Sequence, residues 1–158
     1  MSKLIFFIGP GGSGKSTICS HIEKNYPNLK RVKLDDYEKD SNHRLGISKI
    51  EELEKSQDTN IFLIDVGAFF QKHIPENFWS SRKDNMITIY NDPKFCYEVY
   101  KNRETSKPRV VYKEHCEKEF NIKRKKLYEL PNFKIITNEE VDESVKKAYD
   151  FIKKILKN

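Results

Sequence analysis

No window of the 158-residue chain approaches 18 consecutive apolar residues, so no membrane span is expected. Cysteine is scarce and unpatterned: Cys19, Cys96 and Cys116 form no C-x-x-C pair and share no metal-ligand spacing with His21, His43, His73 or His115. An odd, scattered count excludes a disulfide framework and a zinc site, and fits reduced thiols in the cytoplasm. Cys19 reads as a small buried side chain. The histidines also lack a nucleophile partner and receive no role. Met1-Ser2-Lys3 runs at once into a strand-like segment, and the glycine-rich residues 9–14 arrive too early for a cleavage site, so no secretory leader is expected. Repeats, low-complexity stretches and Pro/Gly-rich linkers are absent too, so residues 1–158 are expected to form one domain, working as a monomer.

What is present is an alternation of short apolar runs with segments of helical spacing. Lys3–Ile8 reads as a first strand, Leu29–Leu34 as a weaker second, and Asn60–Val66 as a third buried on both faces. Met86–Tyr90 and Phe133–Thr137 complete the set. Ser16–Lys24 reads as a helix with Ile18, Ile22 and Cys19 inward, and Ile47, Ile50 and Leu53 keep helical spacing. A last helix, Val141–Leu156, sets Val141, Val145, Ala148, Ile152 and Ile155 or Leu156 on one stripe. Tyr26, Tyr37, Tyr97, Tyr100, Tyr112 and Tyr128 read as core or boundary packing. The expectation is an α/β fold of three layers, a five-stranded parallel sheet with helices on both faces. Ligands of such sheets bind beyond the C-terminal strand ends.

One motif stands there. Residues 9–16 read Gly-Pro-Gly-Gly-Ser-Gly-Lys-Ser, matching G-x-x-x-x-G-K-[ST] without substitution, between the first strand and the first helix. Glycines let backbone N–H groups turn around phosphate oxygens, and the helix N-terminus adds partial positive charge. Gly11, Gly12, Ser13, Gly14, Lys15, Ser16 and Thr17 are therefore expected to hold the phosphates of ATP. Lys15 is placed to reach the β- and γ-phosphates, and Ser16 to ligate Mg²⁺. Removal of Lys15 is expected to spare the fold, since no core contact is foreseen for it.

Acids also close two strands. Asp65 ends the run Ile61-Phe62-Leu63-Ile64, where it can hold Mg²⁺ directly or through water, or serve as a helix cap. Asp35 and Asp36 end the second strand. A carboxylate there can orient a substrate hydroxyl and accept its proton, although paired acids after a strand also make ordinary turns. Val66-Gly67-Ala68 offers either a close approach for substrate or a plain turn. Cations crowd the next region: Arg103, Lys107, Arg109, Lys113, Lys118, Lys123, Arg124, Lys125 and Lys126. Pro108 breaks any continuous helix among them, which suits a basic lid over about residues 103–123. Such a lid excludes water and steadies the charge spread over a moving phosphoryl group.

The first 17 positions, the Asp35 region and the stretch from Met86 onward resemble shikimate kinase and its relatives among the nucleoside-monophosphate-kinase-like P-loop proteins. The nearest stretch is Arg103-Glu-Thr-Ser-Lys107-Pro108, followed by Arg124-Lys-Lys-Leu127-Tyr128-Glu129. The resemblance implies that Arg124 binds a substrate carboxylate, that Arg103 packs on adenine, and that Asn138 and Val141 lie near the base. It implies that Asp35 holds the reactive hydroxyl, and that Gly67 and Ala68 stand beside the substrate where the family has glycines. Lys107 takes the place of a lid arginine. Departures are also plain: Lys33 replaces the first acid of the family's D-x-D, and a single glycine remains of three. The second carboxylate-binding arginine has no clear match, Arg44 being a poor stand-in. Asp65 is an acid where the family usually has none, and is expected to take the metal role lost at Lys33.

The chain carries 30 Lys+Arg against 24 Asp+Glu, a net charge of +6. Nucleic acid is thus a partner to consider, but Lys146, Lys147, Lys153, Lys154 and Lys157 read better as solvated helix surface. The leading expectation is an ATP-dependent kinase acting on a hydroxyl of a small anionic metabolite. A nucleotide or nucleic-acid-end kinase is the alternative. A GTPase-type switch is disfavoured, because the fifth strand leads into Thr137-Asn138-Glu139-Glu140 and no N-K-x-D motif appears.

Overall fold

A computed structural model describes residues 3–37, 43–101, 118, 124–137 and 140–157. Five strands, β1 (Lys3–Ile8), β2 (Leu29–Lys33), β3 (Ile61–Asp65), β4 (Met86–Tyr90) and β5 (Phe133–Ile136), form one sheet in the order β2-β3-β1-β4-β5. Every described pairing is parallel. Parallel neighbours need crossovers, and α-helices supply them. These are α1 (Lys15–Asn25), α2 (Arg44–Lys55), α3 (Ala68–His73), α4 (Glu76–Ser80), α5 (Pro93–Lys101), α6 (Lys125–Glu129) and α7 (Val141–Leu156).

Pleating sorts β1 onto two cores. Leu4, Phe6 and Ile8 face Ile50 and Leu53 of α2, Phe70 of α3, Trp79 of α4, and Leu127 and Tyr128 of α6. Ile5 and Phe7 face Ile18, Cys19 and Ile22 of α1 and Val145, Ala148 and Ile152 of α7. The central strand is therefore apolar at every position from Leu4 to Ile8, each at most 4% exposed. Full burial of one such side chain contributes about 1.5–3 kcal/mol. On the second face, burial pushes the Cys19 thiol far above its ordinary value, so it stays a neutral packing group. None of the described helices is long and apolar enough to cross a membrane.

Two departures from the sequence pattern bear on the site, one at the end of β2 and one in the buried stripe of α7. The second strand stops at Lys33, which pairs with Asp65 in the last rung. Leu34 then drops into the core, and the chain curls into a 3₁₀ turn, Leu34–Tyr37. That turn leaves Asp35 and Asp36 exposed at the C-terminal edge of the sheet. In α7 the buried stripe is Ser144, Val145, Ala148, Ile152 and Ile155, with Leu156 only half-buried, whereas Val141 is 37% exposed. Its place beside a cavity explains the difference.

Candidate active site

The phosphate-loop motif lies between β1, in the middle of the sheet, and the first turn of α1. Gly12 and Gly14 have φ of 79° and 95°, backbone that L-residues rarely adopt. A Cβ at Gly12 would also stand 2.6 Å from the Cys96 carbonyl oxygen of α5. Gly14 caps α1 without a side-chain hydrogen bond, and no acid sits in the first turn. The exposed N–H groups of that turn therefore remain available to an anion. Ser13 is buried, and its N–H donates to the Pro10 carbonyl at 3.2 Å, tightening the loop. The Thr137 hydroxyl donates to the Ser13 carbonyl at 2.7 Å and so ties the loop to the end of β5.

Lys15 points back across the loop toward β3. Its ammonium donates to the Val66 carbonyl at 2.7 Å and stands 3.2 Å from Asp65 Oδ1. The expectation that Lys15 touches nothing structural is thus corrected: it neutralises a carboxylate that is only 5% exposed. The Ser16 hydroxyl donates to Asp65 Oδ2 at 3.0 Å. Arg31 completes the group, donating to the same oxygen from Nη2 at 2.6 Å and Nε at 3.2 Å. Burial pushes the Asp65 carboxyl up, but Lys15, Arg31 and Ser16 together outweigh it and hold the group below the usual carboxylate range. Ser16 Oγ and an Asp65 oxygen side by side make the hard, all-oxygen donor set that suits Mg²⁺.

Arg31 was not foreseen, though a signal existed. It shares the α1-facing side of β2 with Leu29, and its Nη1 donates to Ser20 of α1 at 2.9 Å. A cation at a core-facing strand position demands a counter-charge, and Asp65 is that charge. Gln71 of α3 was also missed. It is buried, and its amide nitrogen donates to the carbonyls of Gly9 at 3.0 Å and Val66 at 2.8 Å.

The Asp35 carboxylate lies against the Cα of Gly67, where any Cβ would overlap it. Gly67 therefore makes room for Asp35 itself. Asp35 keeps an exposed face, but the groups packed around its carboxyl partly desolvate it and raise it above its ordinary value; Lys15 and Lys33 oppose that rise, while Asp65 and Asp36 add to it. A raised carboxyl is a better proton acceptor. Ala68 opens α3 beside it. Arg124 caps α6, which is anchored by the Thr88 hydroxyl donating to the Tyr128 carbonyl at 2.9 Å.

On the other side of the phosphate loop lies a cavity of about 190 Å³ lined by Gly12, Thr17, Phe95, Val99, Thr137 and Val141, among others. Val141 and Phe95, two of the exposed large apolar side chains, thus share a cavity rimmed by the loop. Apolar walls from Phe95, Val99 and Val141, with Thr17 and Ser144 also in the lining, suit an aromatic base. Arg103, Lys107, Pro108, Arg109 and Asn138 lie outside the described residues, as does the lid apart from Lys118.

No family model matches the chain, and no curated relative does. Solved structures do. A shikimate kinase from Bacteroides thetaiotaomicron superposes with a TM-score of 0.71 at 13% identity, over 96% of this chain and 98% of that one. A gluconokinase from Sinorhizobium meliloti 1021 gives 0.69 at 13% identity, over 99% and 94%. A deoxyadenosine kinase from M. mycoides gives 0.53 at 15% identity, over 96% and 99%. The fold of this chain, five parallel strands with the phosphate loop after the central one, is the fold of these P-loop kinases.

Proposed function

We propose that the chain is an ATP-dependent kinase that transfers the γ-phosphoryl group to a hydroxyl of a small, anionic metabolite. One observation carries this reading: Lys15 and Ser16 of an intact phosphate loop converge on the buried Asp65, with Asp35 on the neighbouring strand end. The base of ATP is assigned to the cavity by Phe95 and Val141, and its phosphates to the backbone of residues 11–17. Ser16 and Asp65 hold Mg²⁺, which when bound neutralises charge on the phosphate oxygens. Lys15 turns from Val66 to the β- and γ-phosphates. Asp35 orients the acceptor hydroxyl and takes its proton. Arg124 binds the acceptor's anionic group, and Gly67 and Ala68 border it. Arg103 on the base and Lys107 on the transferred group complete the assignment, as the resemblance implies.

Asp35→Asn is expected to lower kcat by about 10²-fold, the usual worth of a positioned base. Because the Asp35 carboxyl is raised, the acid limb of the native pH–rate profile is expected on the high side of an ordinary aspartate's value. That limb disappears in the variant; a loss under threefold makes Asp35 a turn residue. Arg124→Ala is expected to raise the acceptor KM by about tenfold or more, the worth of one charge-assisted hydrogen bond, with the KM for ATP unchanged. Equal rises in both would remove Arg124 from the acceptor site.

The decisive experiment measures ADP release with shikimate, pooled small acids, nucleoside monophosphates and 5′-hydroxyl oligonucleotides as separate arms. Release with small acids supports the proposal. Release with nucleotides or oligonucleotides alone replaces it with the nucleotide-kinase reading.

A further inference from the structure

The Val66 carbonyl has two donors, Lys15 Nζ at 2.7 Å and Gln71 Nε2 at 2.8 Å. Val66 is fully buried, so water cannot replace a lost donor there. Lys15 must leave this carbonyl to meet a phosphate. Gln71 stays behind. Its second hydrogen serves the Gly9 carbonyl at 3.0 Å, the first carbonyl of the phosphate loop, so one amide group spans the loop and the end of β3. The orientation of the amide follows from these partners, because the flipped form would set its oxygen against two carbonyl oxygens. In the observed form Oε1 is buried and has no hydrogen-bond partner among the described residues. The side chain thus leaves its own acceptor unsatisfied while both donors face the site.

We propose that Gln71 is a positioning residue that releases Lys15: it keeps the Val66 carbonyl satisfied in the nucleotide-bound state, so the ammonium moves to phosphate without leaving a bare acceptor. This rests on the assignment of Lys15 to phosphate. Glutamine at this position also explains a polar side chain only 4% exposed on a short helix otherwise packed by Phe70.

Gln71→Met keeps the volume and removes both donors. Calorimetric titration with Mg·ATP tests it in the native and Lys15→Met backgrounds. The expected result is affinity about tenfold weaker in the native background and changed less than twofold in Lys15→Met, where no ammonium has to move. Equal losses in both backgrounds make Gln71 a plain loop brace and overturn the proposal, as does an unchanged native affinity. Should the native chain fail to bind Mg·ATP, the Lys15 assignment falls first and takes this one with it. A second measurement needs no substitution at residue 71. The side-chain amide protons of Gln71 are followed by ¹⁵N NMR, and are expected to shift on saturation of the native chain with Mg·ATP but not of Lys15→Met. Unmoved protons in the saturated native chain overturn the proposal.

Discussion

Lys15→Met is expected to lower phosphoryl transfer by about 10³-fold or more, the scale on which a single cation acts on a transferring phosphoryl group. The same substitution is expected to loosen the fold. Asp65 is 5% exposed, and its Oδ1 faces the Lys15 ammonium while Oδ2 is held by Arg31 and Ser16. With Lys15 gone, a buried carboxylate keeps one cation in place of two. Arg31 prevents collapse, so the cost falls short of the 3–5 kcal/mol of a wholly broken buried pair; about 1–2 kcal/mol is expected. The pH dependence separates the two effects. A carboxyl held below its ordinary value stabilises the native state fully above its unfolded pKa, about 4, and loses that contribution as pH falls toward the native value. The variant should therefore melt below the native chain at pH 6–7 and converge with it under acid, whereas its activity defect persists at every pH. A variant that melts with the native chain at pH 7 would show that Arg31 alone balances Asp65.

Much of the architecture was legible because each signal was local. The run from Leu4 to Ile8, the glycine-rich loop and the helix after it follow one another within 25 residues, and loop chemistry, burial and helical spacing agree there. The Met86–Tyr90 strand and the span of α7 were equally legible, since apolar runs and stripes dictate them. The inner arrangement of the site was hidden for a different reason. Arg31 and Asp65 meet although they stand 34 positions apart in the chain, and Gln71 and Gly9 although they stand 62 apart. Neither partner is written near the other, so only the strand order brings them together. Val141 misled in the opposite sense. Its spacing fits the stripe of α7, but it sits on the first turn, where the helix passes the cavity beside the phosphate loop. Apolarity there serves a surface that a flat ligand can cover, and periodicity cannot distinguish that use from core packing.

Asp65→Ala is expected to have the largest effect on stability, because it strands two cations. Arg31 and Lys15 have side chains only 15% and 11% exposed, and both aim at the missing carboxylate. Loss of the buried anion is expected to cost about 3 kcal/mol, which for a chain of this size is roughly 6–12 °C in Tm. Two companion variants divide that loss by cause. Asp65→Asn keeps an oxygen to accept from Ser16 and Arg31 and should recover part of the melting temperature, but not the charge. Asp65→Ala combined with Arg31→Met removes one stranded cation with the anion and should melt above Asp65→Ala alone, since an unpaired buried charge is worse than none. If the double variant melts lower than the single, the group is held by packing and not by charge. Metal affinity provides the independent reading. Mn²⁺ binding in the presence of ADP, followed by electron paramagnetic resonance, should weaken in Asp65→Asn, where the fold is least disturbed and one anionic oxygen is gone. Undiminished Mn²⁺ binding would leave Ser16 and the phosphates as the metal's holders. Asp65 would then be a counter-ion that parks Lys15 until nucleotide arrives.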